Sequence, residues 1–111
     1  MASGQLHETV LFHEAVEALV QDKSGKYVDA TFGRGGHSSL ILDQLDDEGL
    51  LLGFDRDPEA IAVANAMQLE DGRLQVVHAP FSDLQKHVNA RGWSGELDGV
   101  LFDLGVSSPQ L

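Results

Sequence analysis

Apolar residues along the chain change their spacing in a regular way, and these changes predict alternating helices and strands. Residues 11–20 predict an amphipathic helix, because four apolar positions fall on one face: Leu11, Ala15, Ala18 and Leu19. Short apolar runs predict four strands, at residues 27–32, 50–55, 73–78 and 97–104. The segments between them carry helical patterns, at residues 37–45, 57–69 and 82–91.

The order of these elements predicts an α/β fold. Strands that alternate with helices are typical of a parallel sheet with right-handed crossovers. The run Leu50–Asp55 is almost entirely apolar, as expected of a strand covered on both faces. Asp57 is a suitable N-cap and Pro58 a suitable first residue for the following helix. Ser82 is a candidate N-cap for the next helix.

The last predicted strand lies close to the end of the chain. In a doubly wound sheet the fourth strand lies beside the first, so residues 97–104 are expected to form an open edge. Such an edge predicts self-association through unpaired backbone groups. Because the elements that would continue the sheet are missing, we interpret residues 1–111 as the N-terminal part of a longer protein.

Composition and charge narrow the class of protein. A chain of 111 residues is one domain at most. No run is long enough to span a membrane, the N-terminus does not resemble a secretory signal, and a cytoplasmic location is expected. The absence of cysteine excludes disulfides and cysteine-ligated zinc. A net charge of −11 with seven Lys and Arg residues predicts weak binding to a polyanion by this chain alone.

A glycine-rich turn follows the first predicted strand and contains Gly33, Gly35 and Gly36. Such a turn lets a ligand approach the backbone and the helix N-terminus closely. A phosphate-binding P-loop is excluded, because no lysine follows Gly36. A dinucleotide motif has glycine where this chain has Ser38, which disfavours NAD.

The first motif of S-adenosylmethionine (SAM) sites also fits this turn. That motif reads acidic-x-G-x-G-x-G, and residues 29–35 match it with Thr31 in place of the first glycine. The turn then needs to admit only the methionine part of the ligand, whose carboxylate can accept from backbone N–H groups and from His37. The alternative is a tight turn that binds no ligand.

Three further strand ends carry candidate site residues. Asp55 lies at the end of the second strand, where a carboxylate can bind both ribose hydroxyls of an adenosine. The alternative role for Asp55 is to cap the following turn, but Asp57 suits that role better and so leaves Asp55 free for the ligand. Phe81 follows the third strand, where its ring can lie against an adenine or belong to the core. Asp103 ends the fourth strand, at the switch point where such sheets bind ligands.

Several motifs together resemble one enzyme family. They are HETVLFHEAV, DATFGRGGHS, GFDRDPEAIAVA and DLGVSSPQL. With this spacing the chain resembles the bacterial SAM-dependent methyltransferases that modify N4 of a cytosine in small-subunit (16S) ribosomal RNA. The resemblance runs from about His7 to the last residue. Members of that family are longer, and have a Rossmann-like class I methyltransferase core with an inserted helical substrate-recognition domain.

The resemblance implies a SAM site and assigns residues to it. The implied cofactor contacts are Gly35, Gly36, His37, Asp55, Phe81, Asp103 and Gln110. Gly33 is added to them from the motif of the glycine turn. Gln110 is implied by the resemblance alone. The chain would carry about four parallel strands of the core and the cofactor-binding half of the enzyme, and would be inactive by itself. Ribosomal RNA would be bound by the full-length enzyme.

The implied reaction places demands on the residue that faces the target base. Cytosine N4 is a poor nucleophile because its lone pair is delocalised into the ring, so the enzyme must align it with the S–CH₃ bond and accept its hydrogen bonds. The base must also leave its stack. Asp103 is the candidate acceptor, although many amino-methyltransferases have Asp/Asn-Pro-Pro-Tyr where this chain has Asp-Leu-Gly-Val.

Other functions stay open on the sequence. A SAM-binding module without catalysis would carry the same motifs. An NAD-linked oxidoreductase would share Asp55 but not Ser38. A regulatory role through contacts with partners is a further alternative. The histidines are scattered, and their spacing does not predict a metal site.

Overall fold

The computed structural model describes residues 14–102 and the backbone of residues 105–107. The strands are β1 (Lys26–Asp29), β2 (Leu50–Asp55), β3 (Leu74–His78), β4 (Gly99–Phe102) and β5 (Gly105–Ser107). The helices are α1 (residues 14–19), α2 (Gly36–Gln44), α3 (Pro58–Glu70) and α4 (Leu84–Ala90), the last preceded by a 3-10 turn at Phe81–Asp83.

The strands form one sheet in the order β3-β2-β1-β4-β5. β1 pairs in parallel with β2 on one side and with β4 on the other, and β2 pairs in parallel with β3. This order confirms the predicted α/β fold of four parallel strands and the position of the fourth strand beside the first. The carboxyl ends of the four strands consequently lie along one edge of the sheet, where ligands bind in such folds.

The prediction that β4 is an open edge is wrong. The backbone of Gly105–Ser107 pairs with the outer side of β4 in antiparallel orientation, with Phe102 opposite Gly105. The backbone groups of β4 therefore find partners within the chain, which is how sheets protect an exposed edge. Self-association stays a prediction.

The core has two parts because successive strand residues point to opposite faces of the sheet. Tyr27 and Leu51 lie in one cluster with residues of α1, α2 and α3. Val28 and Leu52 lie in the other, which α4 covers through Leu84. Both faces of β1 and β2 are thus covered, as their continuous apolar runs predict.

Three local predictions need correction. Val16 and Leu19 are the buried residues of α1, whereas Ala18 is exposed, because residues three positions apart share a helix face and Ala18 lies off that face. Leu11 lies outside the described residues. The first strand, predicted over residues 27–32, ends at Asp29. Beyond it the backbone N–H groups bond to different neighbours: that of Ala30 donates to a carbonyl of β4, and that of residue 32 to a carbonyl of β2. Ser82 lies inside the 3-10 turn and is not the N-cap of α4.

In the part of the chain that the structure describes, no helix is both long and apolar enough to cross a membrane.

Candidate functional site at the carboxyl edge of the sheet

The glycine-rich turn lies between the end of β1 and the start of α2. Gly33 and Gly35 have φ values of 60° and 85°, a region that favours glycine. Gly35 is the N-cap of α2. Because glycine has no side chain, it makes no capping hydrogen bond to the first N–H groups of this helix. A Cβ at Gly36 would meet open space. The backbone of the turn is therefore accessible from outside.

Gly35 is also required for close packing. A Cβ at this position would lie 2.5 Å from Met67 Sδ and 3.0 Å from the ring of Phe32. The turn consequently rests directly on α3 on its inner side, while its outer side forms a recess. That recess has a volume of about 260 Å³ and is lined by Thr31, Phe32, Gly33, Arg34, Gly36 and His37.

A buried carboxylate lies beneath this turn. Asp29 is 2% exposed, and its Oδ2 accepts a hydrogen bond of 2.7 Å from the hydroxyl of Ser38, which is itself fully buried. Asp29 Oδ1 accepts from the N–H of Thr31 at 3.1 Å. Ser38 is in the first turn of α2, so these bonds join the end of β1 to the start of the helix. A carboxylate is favourable at that end of a helix.

Asp55 joins the turn to the end of β2. Its Oδ2 accepts from the Gly33 N–H at 2.8 Å, and its Oδ1 accepts from the Asp57 N–H at 2.9 Å. The sequence predicts correctly that Asp57 caps α3, since its side chain accepts from the Glu59 N–H at 2.9 Å. Asp55 also has a structural role that the sequence did not predict, because it holds the backbone of two loops.

Asp55 retains capacity for a ligand in spite of these bonds. A carboxylate offers about four lone-pair sites, and two backbone N–H groups use two of them. The residue is half-buried and lines recesses on two sides. One of these, of about 200 Å³, lies between the glycine turn and the start of α3 and is lined by Gly33, Arg34, Asp55, Asp57, Glu59 and Ala60.

Phe81 forms a wall of the recess on the other side of Asp55. This recess has a volume of about 250 Å³ and is lined by Ala30, Thr31, Phe54, Asp55, Arg56, Ala79, Pro80 and Phe81. Phe81 is half-buried, and its ring meets that of Phe54 edge to face at 5.9 Å between centroids. Phe81 therefore packs on the core, as one of the two expectations has it, and also faces a recess. Its contact with an adenine stays a prediction.

The structure brings most of the predicted site residues together. Gly33, Gly36, His37, Asp55 and Phe81 line three adjoining recesses, and Gly35 supports them from behind. Thr31 and Asp55 each line two of these recesses, so the recesses share walls. Asp103 and Gln110 lie outside the described residues.

Sequence reasoning missed two features of this edge. The first is the buried pair of Ser38 and Asp29, since Ser38 entered only as a departure from the dinucleotide motif. The second is Phe102, whose ring lies 5.1 Å from that of Phe81. Its position at the end of an apolar strand was the available signal, but only the fold places it beside Phe81.

Charges at the mouth of the site are mixed. Arg34 and Glu59 approach to 3.9 Å, and both side chains are about four-fifths exposed. A pair this exposed contributes little to stability. Among the residues that the structure describes, no group of three or more His, Cys, Asp or Glu side chains could hold a metal ion.

A further recess of about 270 Å³ lies away from this edge, between α2 and the end of α3. Arg73 is one of its lining residues, and binds Asp71 through two nitrogens and the carbonyls of Leu42 and Leu45 through Nη1. The hydrogen bonds from Arg73 lower the pKa of Asp71. Arg73 therefore closes the C-terminal end of α2, a structural role.

Known proteins are similar to this chain in sequence and in fold. The profile of the MraW methylase family matches residues 4–111, which is nearly the whole chain.

The chain belongs to the MraW methylase family.

Relatives of this MraW-family chain support the assignment. It is 52% identical over 107 residues to the ribosomal RNA small subunit methyltransferase H of two Coxiella burnetii strains, Dugway 5J108-111 and RSA 331. The match covers 96% of this chain and 35% of each relative. The MraW-family chain thus spans about a third of the length of these relatives.

Solved structures show the same fold for this MraW-family chain. An rRNA methylase from Streptococcus thermophilus superposes with a TM-score of 0.57 at 20% identity, covering 70% of this chain and 46% of that one. A protein-L-isoaspartate O-methyltransferase superposes with a TM-score of 0.55 at 15% identity, covering 63% and 23%. The shared architecture is the Rossmann-like methyltransferase fold.

Proposed function

We propose that this chain is the cofactor-binding part of a SAM-dependent methyltransferase that acts on N4 of a cytosine in small-subunit (16S) ribosomal RNA. The observation that carries the proposal is the position of Asp55 between the recess at the start of α3 and the recess beside Phe81. Together with the recess over the glycine turn, these form a site in three parts. SAM likewise has three parts: an amino acid, a ribose and an adenine.

The side chains fit these three parts. Backbone N–H groups at the start of α2 suit the methionine carboxylate. The two unused lone-pair sites of Asp55 suit the ribose hydroxyls. The apolar recess bounded by Phe54 and Phe81 suits the adenine ring.

Charge favours SAM over NAD. The buried carboxylate of Asp29 is bonded to Ser38 in the first turn of α2, so it offsets the positive end of the helix that a pyrophosphate would need. The amino acid part of SAM is a zwitterion, and its ammonium group balances its carboxylate, so the negative charge of Asp29 disfavours it less than it disfavours a pyrophosphate. The recess at the start of α3 has three carboxylates and one cation, Arg34, among its lining residues, and this balance also favours a cationic ligand over an anionic one.

The residues of this chain bind and orient the cofactor, which supplies an electrophilic methyl group on a sulfonium sulfur. Transfer to N4 requires the amine to be aligned with the S–CH₃ bond and its hydrogen bonds to be accepted. We assign the acceptor role to Asp103 and a further cofactor contact to Gln110, both by resemblance to the family.

Recognition of the RNA requires an excess of cationic side chains, which the described residues at this edge of the sheet do not supply. Arg34 and Arg56 line its recesses, but so do Asp55, Asp57 and Glu59. The net charge of −11 also opposes binding of a polyanion. We therefore propose that the RNA is held by parts of the longer enzyme beyond the third that this chain matches.

Calorimetric titration with S-adenosylhomocysteine and, separately, with NAD tests the cofactor assignment. We expect the wild-type chain to bind S-adenosylhomocysteine but not NAD. Asp55→Asn should weaken binding by about tenfold or more, since hydrogen bonds to a charged group contribute about 1.5–3 kcal/mol.

Asp98→Asn is the matched control for this titration. Asp98 accepts a backbone hydrogen bond from Lys26 at 2.8 Å, at the opposite edge of the sheet. The Asp98→Asn variant should bind S-adenosylhomocysteine with the affinity of the wild type. Binding of NAD without binding of S-adenosylhomocysteine would contradict the proposal.

A further inference from the structure

Phe102 is unusual in its exposure. Of the large apolar side chains that the structure describes, only Phe102 and Leu69 are exposed, at 37% and 90%. Leu69 is on α3, near its C-terminal end, whereas Phe102 ends β4 at the carboxyl edge of the sheet. An exposed aromatic ring beside a candidate binding site needs a reason that an isolated surface leucine does not.

The ring of Phe102 lies against Phe81. Their centroids are 5.1 Å apart and their planes meet at 81°, a favourable edge-to-face arrangement. Phe81 makes a second contact of this kind with Phe54, at 5.9 Å and 87°. Phe81 is therefore held between a fully buried ring and a partly exposed one.

The topology explains why these three rings meet. Phe54 lies in the core cluster under α4 together with Val100. Phe102 is two residues after Val100 on β4, so its side chain points to the same face of the sheet. Phe81 begins the 3-10 turn that leads into α4 and so crosses this face from the end of β3. The contact joins the turn that follows β3 to the end of β4, although β3 and β4 are not neighbours in the sheet.

We propose that Phe102 is a positioning residue of the cofactor site, which fixes the orientation of the Phe81 ring beside Asp55. The inference rests on the proposed function, because the wall that Phe81 forms belongs to the recess assigned to adenine. Phe102 itself is not among the residues that line this recess. It acts on the ligand through Phe81.

A double-mutant cycle tests this role. Affinity for S-adenosylhomocysteine is measured for the 111-residue chain as wild type, Phe102→Leu, Phe81→Leu and the double variant. We expect Phe102→Leu to weaken binding by about threefold to tenfold, the range of one aromatic pair. In the Phe81→Leu background the same change should have little further effect, because the two residues act as one unit.

Two controls separate positioning from general destabilisation. Phe102→Tyr keeps the ring and should bind S-adenosylhomocysteine as the wild type does. Leu69→Ala removes the other exposed apolar side chain and should not change the affinity. Additive effects of Phe102→Leu and Phe81→Leu would overturn the inference, because a merely structural role would weaken binding equally in both backgrounds.

A second readout does not depend on binding. In the chain labelled with 4-fluorophenylalanine, the fluorine signal of Phe81 is identified by its absence in Phe81→Leu. It should shift in Phe102→Leu and stay in place in Leu69→Ala, and an unchanged signal in Phe102→Leu would overturn the inference.

If the wild-type chain bound no S-adenosylhomocysteine, the proposed function would fail and the inference with it. If it bound S-adenosylhomocysteine but the effects of Phe102→Leu and Phe81→Leu were additive, only the inference would fail.

Discussion

At the scale of single residues, the pair of Ser38 and Asp29 shows how the glycine turn is held. We expect Ser38→Ala to lower the free energy of unfolding by about 1–3 kcal/mol, because it removes a hydrogen bond from a buried carboxylate. Urea denaturation followed by circular dichroism measures the change. Ser39→Ala is the control, since Ser39 is the next residue and is exposed, and its cost should stay within about 0.5 kcal/mol. Equal stability of the two variants would contradict this account of Ser38.

At the scale of elements, the contact between the glycine turn and α3 determines how closely the two can approach. Gly35→Ala and Gly92→Ala both place a side chain at positive φ, 85° and 74°, but only at Gly35 would the new Cβ meet a neighbour, Met67. We expect Gly92→Ala to cost about 1–2 kcal/mol from backbone strain. Gly35→Ala should cost about 1–3 kcal/mol more from overpacking. Thermal and urea unfolding would reveal the difference, and equal costs would show that Met67 moves aside freely.

At the scale of the whole molecule, Arg73 links the start of β3 to the end of α2, and Asp71 makes this link sensitive to acid. The pKa of Asp71 is lowered by its hydrogen bonds with Arg73, so its contribution to stability is present above the unfolded pKa near 3.8 and is lost as the pH falls through the lower folded value. We expect wild type to exceed Asp71→Asn in stability by a constant amount above about pH 5, with the gap closing below about pH 4. Urea midpoints measured from pH 7 to pH 2.5 test this. A gap that is unchanged at low pH would show that the carboxylate's charge is unimportant here.

The sequence predicted the parts of the site that depend on one segment at a time. The glycine turn could be recognised from the spacing of its residues, and Asp55 from its position at the end of an apolar run. Ser38 could not be interpreted in this way, because its role depends on Asp29 nine residues earlier being buried beneath the same turn. Asp55 was incompletely predicted for the same reason, since its bond to Gly33 joins two different loops.

The sequence by itself determined the order of helices and strands, the parallel sheet and the segments that meet at its carboxyl edge, because apolar periodicity and the right-handed crossover depend on local pattern and chirality. Only the tertiary structure decided that β5 covers the outer side of β4, and that Phe54, Phe81 and Phe102 meet on one face. These contacts join residues that are distant along the chain. Their distances follow from how strands stack and where loops cross, which no single stretch of sequence specifies.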